Sequence, residues 1–169
     1  MTDGPDASSS TRPGRRNAHR ARSKGRELAL KYLYSADLKR QIGAEDFDAF
    51  VVHQGERGPM VPFARELVLG TLADQDAIDD LLSGLAANWS LHRMAAVDRN
   101  VLRLGCYELL RHSGLPPGVV INEAVEIAKK FGTKDSAAFV NGLLDRVRKK
   151  RDAGEFRLPD RPPDAPQES

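Results

Sequence analysis

The sequence contains a single cysteine, Cys106, among its 169 residues. One thiol cannot form an internal disulfide or build a cysteine-rich metal site. The histidines are scattered, and none lies at metal-ligand spacing from another or from the cysteine; they are His19, His53, His92 and His112. We therefore expect neither a metal nor a cofactor, and the lack of any sign of an oxidising compartment favours a cytoplasmic protein.

Long hydrophobic runs and catalytic signatures are also missing. No stretch approaches the roughly 18 apolar residues of a membrane span, and the polar N-terminus lacks the apolar segment of a signal peptide. The chain has neither a Gly-rich phosphate loop ending in Lys-Ser or Lys-Thr nor a nucleophile elbow. These absences argue against a membrane protein, and no pattern in the sequence predicts an enzyme.

Charge is unevenly distributed, although the formal net charge is only +2. Residues 11–31 carry eight Lys or Arg against one acid, whereas residues 44–80 carry nine acids against two arginines. A basic N-terminal end attracts polyanions, so nucleic acid is the first class of partner that this pattern suggests.

Composition divides the chain into three segments. Residues 1–18 contain little that can be buried, which predicts a flexible basic arm. Residues 152–169 are rich in proline and predict a disordered tail. Residues 19–151 are long enough for one hydrophobic core and form the predicted domain.

Within residues 19–151 the apolar residues recur at helical spacing, and no convincing strand alternation is present. The first helix is predicted from about His19 to Arg40, and the last begins at a cap formed by Asp135 or Ser136. Six or seven helices joined by short connections predict an all-α, bundle-like fold.

The first helix has two contrasting faces at about 100° per residue. The predicted buried stripe consists of Ala29, Tyr32, Leu33 and Ala36. The opposite face carries Arg20, Lys24, Glu27, Lys31 and Tyr34. A tyrosine among cations offers a ring on which a base stacks, beside groups that hold phosphates. A solvated charged face with Tyr34 packed on a neighbouring helix fits the wheel equally well, but the basic arm upstream favours nucleic acid.

A second basic run, from Arg146 to Arg151, closes the last predicted helix. Cations are favoured there by the helix dipole, so we assign this run no site role.

Three motifs follow one another in the C-terminal half: VDRNVLRLGCYEL at 97–109, VINEAVEIAKKFG at 120–132, and FVNGLLD at 139–145 after Asp135-Ser136. Residues 26–35 add a fourth. Together these motifs resemble the NusB family of transcription antitermination factors. The resemblance covers most of His19 to Arg148 and is weakest between Gln41 and Val61.

The resemblance implies a NusB-like fold of about seven helices in two small bundles. It also implies a heterodimer with the small-subunit ribosomal protein that doubles as NusE. In the family this pair binds the single-stranded boxA element of ribosomal RNA transcripts and joins an antitermination complex on RNA polymerase.

The resemblance further implies which residues act. The RNA-binding candidates are Arg20, Arg22, Lys24, Arg26, Lys31, Tyr34, Asp135 and Phe139. The partner-binding candidates are Asp98, Asp135 and Phe139. A helix cap explains Asp98 equally well, and motif residues such as Asn122 and Asn141 are expected to cap or cross-link helices. Ser23 and Gly25 interrupt the arginine cluster, so the first helix is expected to begin late.

Two other interpretations remain open. The first is a stand-alone NusB-like RNA-binding domain related to RNA cytosine methyltransferases. Some of those enzymes carry a NusB-like N-terminal domain, but they also need a large catalytic domain, for which the roughly 18 residues after Arg151 are too few. A purely structural helical homodimer is the second alternative.

Overall fold

The computed structural model describes residues 13–39, 44–86, 90–111 and 114–161. These ranges contain seven α-helices and a short 3-10 helix at Leu91–Arg93. The α-helices are α1 Pro13–Lys39, α2 Ala44–Gln54, α3 Met60–Ala73, α4 Gln75–Leu85, α5 Ala96–Arg111, α6 Pro117–Phe131 and α7 Ser136–Asp152. No strand occurs in the ranges described, and the predicted all-α fold is confirmed.

Helix α5 is the centre of the fold. It contacts α1, α3, α4, α6 and α7, and every residue from Asn100 to Leu109 is buried. α6 and α7 also pack against each other, while α1 packs along α3. Because α5 is buried on all sides, its side chains contact each of these helices and influence how each one packs.

Three polar residues of α5, Arg99, Asn100 and Arg103, bind acids on α1 and α4. The Arg103 guanidinium donates to Asp79 at 2.7 and 2.9 Å, and the Asn100 amide donates to Asp37 at 3.0 Å. Arg99 donates to the same Asp37 oxygen at 2.6 and 2.9 Å. Burial alone raises the pKa of Asp37, but these hydrogen bonds and the charge of Arg103 outweigh it, so its pKa is lowered.

Helix α1 begins at Pro13, six residues before the predicted start at His19, so residues 13–18 of the predicted arm are helical. Adding residues to an existing helix costs far less than nucleating one, and proline is well suited to the first helical position. The remainder of the predicted arm, residues 1–12, lies outside the described residues.

The start of the predicted tail folds against α3 and α5. Leu158 is buried, Arg161 donates to Asp74 at 2.9 Å, and Arg111 donates to the Pro159 carbonyl at 2.6 Å. Burial raises the pKa of Asp74, but hydrogen bonds from Arg111 and Arg161 outweigh this effect and lower it. Leu158 and the Arg161–Asp74 ion pair therefore extend the packed region beyond residue 151. Residues 162–169 lie outside the described residues.

The predicted helix caps differ from the observed ones. Asp98 lies inside the first turn of α5, and its Oδ1 finds no hydrogen-bond partner among the described residues. Asp135 precedes α7 without a side-chain cap bond. Ser136 Oγ instead accepts the Thr133 N–H at 2.9 Å, which closes the turn between α6 and α7.

Helices α3 and α5 approach so closely that one position between them admits only glycine. A Cβ added at Gly70 would lie 2.1 Å from the Tyr107 ring. We expect Gly70→Ala to reduce the free energy of unfolding by about 1–3 kcal/mol, the usual cost of overpacking. Urea denaturation measures this change.

Gly142 provides the matched control because a Cβ there meets nothing within 4 Å in the interior of α7. Gly142→Ala is expected to raise stability by about 0.5–1 kcal/mol through the better helix propensity of alanine. If Gly70→Ala is as stable as the unmodified chain, Gly70 does not lie against the Tyr107 ring as described.

Candidate nucleic-acid interface

Arg26 belongs to the core rather than to an RNA-binding face. Its guanidinium forms a fork with the Glu108 carboxylate, with Nε–Oε1 at 2.7 Å and Nη2–Oε2 at 3.0 Å. Only 3% of either side chain is exposed. The Arg26 guanidinium also lies 5.4 Å from the Phe63 ring centre. The expected RNA contact of Arg26 stays a prediction, and this burial argues against it, because a buried guanidinium must remain with its carboxylate.

The two residues that interrupt the arginine cluster have packing roles. Ser23 Oγ donates to Glu123 at 3.0 Å and so ties α1 to α6. A Cβ at Gly25 would lie 2.8 Å from the Phe63 ring, so glycine permits the close approach of α1 to α3. Helix α1 runs through both residues, contrary to the expected late start.

The two predicted faces of α1 are confirmed as inner and outer faces. Tyr32 is 4% exposed, and its ring meets Phe47 and Phe50 edge-on at centroid distances of 5.2 and 5.5 Å. Tyr34, only two residues further, is 38% exposed. The outer face also presents the exposed cations Arg20, Lys24 and Lys31. Arg22 is exposed as well, but at 100° per residue it lies on the opposite side of the helix, in line with Ala29 and Leu33. That these side chains contact RNA stays a prediction.

The end of α6 joins this outer face, which the sequence did not indicate. Lys31 Nζ and Lys130 Nζ lie 6.0 and 5.5 Å from the centre of the Phe131 ring. Lys130 also donates to both carboxylate oxygens of Glu27 at 2.9 Å. The only signal in the sequence was a phenylalanine flanked by lysines at 129, 130 and 134.

The remaining candidates lie at the starts of two other helices. Asp135 is exposed at the N-terminus of α7, and Phe139, one turn later, is half-buried against the core. Asp98 is half-buried in the first turn of α5. Asp135 and Phe139 therefore share one end of α7, whereas Asp98 lies on a different helix.

The basic run of α7 is used partly to satisfy the ends of other helices. Arg146 donates to the Leu85 carbonyl at the end of α4, and Arg151 donates to the Leu109 carbonyl near the end of α5 at 2.9 Å. Both carbonyls belong to the last four residues of their helices, where carbonyls have no intrahelical partner. That this run has no site role stays a prediction.

The described residues contain neither a reactive thiol nor a metal-binding cluster nor a membrane-spanning helix. Cys106 is completely buried, and burial raises the pKa of its thiol far above the ordinary value, which keeps it protonated. No group of three metal-ligating side chains occurs among these residues. None of the described helices combines the length and apolar character needed to cross a membrane.

Comparison with known proteins decides the family. A model of the NusB family matches residues 23–149. The chain belongs to the NusB family. Relatives include the transcription antitermination protein NusB of Geobacter sulfurreducens, which is 47% identical over 129 residues, 75% of this chain and 93% of the relative.

Solved NusB structures share the fold. T. maritima NusB aligns with a TM-score of 0.70 and 37% identity, covering 80% of this chain and 97% of that one. A chain from the structure of the antitermination factors NusB and NusE in complex with double-stranded RNA aligns with a TM-score of 0.70 and 30% identity. That alignment covers 77% of this chain and 97% of the other. The NusB match begins at Ser23, so Arg20 and Arg22 precede the family region.

Replacing the buried Arg26 and the exposed Arg22 of this NusB-family helix should have different effects on stability. Arg26→Ala leaves the buried Glu108 carboxylate without its partner, so we expect a loss of about 3–5 kcal/mol in the free energy of unfolding. Arg22→Ala changes an exposed side chain and is expected to stay within about 0.5 kcal/mol. Chemical denaturation of both variants measures the difference, and similar small losses for both would contradict a buried Arg26–Glu108 pair.

Proposed function

We propose that this protein is a transcription antitermination factor that binds boxA-type RNA of ribosomal RNA transcripts as a heterodimer with the NusE-type ribosomal protein. The observation that carries this proposal is membership of the NusB family, with 47% identity to a transcription antitermination protein over most of both chains. The likeness to a chain from a complex of NusB, NusE and RNA supports the same set of partners.

The outer face of α1 supports RNA binding on physical grounds. Arg20, Lys24 and Lys31 are exposed on this face and supply sequence-independent, salt-dependent attraction to phosphates, to which the exposed Arg22 adds from the other side of the helix. Tyr34 offers a partly exposed ring among them for a base to stack on.

The NusE-type ribosomal protein contributes the rest of the proposed RNA-binding surface. We assign Asp135 and Phe139, at the start of α7, to the surface shared by RNA and partner, and Asp98 to the partner contact. The protein then acts by affinity, without catalysis, in the cytoplasm within the antitermination complex on RNA polymerase.

The first test concerns the partner. We expect the protein to bind the cognate NusE-type ribosomal protein one to one, and the pair to bind boxA-type RNA more tightly than either protein alone, because each contributes part of one surface. Gel filtration gives the stoichiometry and fluorescence anisotropy gives the RNA affinity. A homodimer that excludes the ribosomal protein, or equal RNA affinity with and without it, would refute the heterodimer.

The second test concerns Tyr34. We expect Tyr34→Ala to change the free energy of unfolding by about 0.5 kcal/mol or less, as surface changes do. Loss of a stacked base should weaken RNA binding by roughly 1–3 kcal/mol. Tyr34→Phe should recover most of that loss, since the ring and not the hydroxyl provides the stacking.

Tyr32→Ala is the control for Tyr34→Ala, because the same type of side chain is buried two residues earlier. Removing its ring should cost about 3 kcal/mol or more of stability, as for other large aromatic truncations. RNA binding unaffected by Tyr34→Ala, in a folded protein, would remove Tyr34 from the interface.

A further inference from the structure

Glu27 lies between two groups of lysines on the surface. One open cleft beside it is lined by Lys24 and Lys31 of α1, and another, between α1 and α6, is lined by Lys129 and Lys130. Glu27 lines both clefts. Glu56 also lines the first cleft, and Glu123 and Glu126 line the second, but Glu27 is the carboxylate that the two clefts share. It lies on the face of α1 that carries Tyr34.

Lys130 crosses from α6 to α1 to reach this carboxylate. Its ammonium donates to both Glu27 oxygens at 2.9 Å. It also shares the Phe131 ring with Lys31, the two Nζ atoms lying 5.5 and 6.0 Å from the ring centre. Like charges held around one ring repel each other, and a carboxylate or a phosphate between them offsets that repulsion.

The Glu27–Lys130 pair is exposed enough to exchange. The Lys130 side chain is 58% exposed and Glu27 27% exposed, and ion pairs of this kind contribute little to stability. Lys129 pairs instead with Glu126, one turn back on its own helix. Glu123, in the same cleft, is bound by Ser23 and is 11% exposed. His19 of α1 also lies 3.5 Å from Glu123, but that carboxylate is only 11% exposed. Glu27–Lys130 is therefore the pair between α1 and α6 in this cleft in which both side chains are well exposed.

We propose that Lys130 is a further phosphate-binding residue of the RNA surface, and that Glu27 holds its ammonium in the free protein. RNA binding then exchanges the Glu27 carboxylate for a backbone phosphate. The RNA path extends from Tyr34 and Lys31 across Phe131 to the end of α6. Glu27 limits non-specific attraction, because any polyanion has to displace it. This inference rests on the proposed RNA-binding function.

The test measures RNA affinity at several salt concentrations, using the protein with its NusE-type partner. The probes are a single-stranded boxA-type RNA and a scrambled RNA of equal length. Lys130→Ala should weaken binding of both probes about three- to tenfold at low salt and lower the salt slope by about 0.7, the value for one phosphate on a single strand. Lys130→Arg should restore both quantities, and the neighbouring Lys129→Ala should change neither.

Glu27→Gln should act in the opposite direction. Removing the competing charge should raise affinity for both RNAs about two- to fivefold at low salt, with a smaller gain at high salt. Glu126→Gln is the matched control, because it breaks the Lys129 pair that lies within α6, and it should leave affinity unchanged. Equal thermal midpoints for these exposed variants establish that all of them fold.

The possible failures are distinguishable. An unchanged affinity and salt slope in Lys130→Ala, while Tyr34→Ala still weakens binding, would overturn this inference and leave the proposed function standing. An unchanged affinity in Glu27→Gln would overturn the role of Glu27 as a competitor. Absence of RNA binding by the unmodified protein with its partner would overturn both the inference and the proposed function.

Discussion

The Glu108 carboxylate lies in the interior of the molecule, and its pairing with Arg26 is the contact on which the orientation of α1 depends. An unpaired buried carboxylate is strongly destabilising, so α1 has to turn Arg26 inward. Asp37, eleven residues later, is held from the same central helix by Arg99 and Asn100. These two anchors fix the rotation of α1 between Arg26 and Asp37 and leave little freedom to the side chains between them.

This rotation determines which residues meet a partner. With Arg26 and Tyr32 inside, Lys24, Lys31 and Tyr34 are directed outward. The charged residues of α1 therefore divide into two classes, those that hold α5 and those that remain available to a polyanion. The same constraint positions Glu27 beside the end of α6, where Lys130 meets it.

Local patterns in the sequence predicted the all-α class, the inner and outer faces of α1 and the separation of Tyr32 from Tyr34, because these follow from helical periodicity alone. The burial of Arg26 was not predictable in this way. Arginine is rarely buried unless it is paired, and its partner lies 82 residues away in the sequence. The Lys130–Glu27 contact and the folding of Leu158 onto the core depend equally on tertiary proximity. Family resemblance identified the motifs but did not distinguish a core arginine from a surface one.

We propose that the outer face of α1, oriented by the buried pairs of α5, is the RNA-binding surface. Hydroxyl-radical footprinting of the assembled complex, with and without boxA-type RNA, tests it residue by residue. The account predicts that RNA protects the side chains of Lys24, Lys31 and Tyr34, while Tyr32 is protected equally in both states. Protection confined to the basic run at the end of α7, with α1 unchanged, would contradict it.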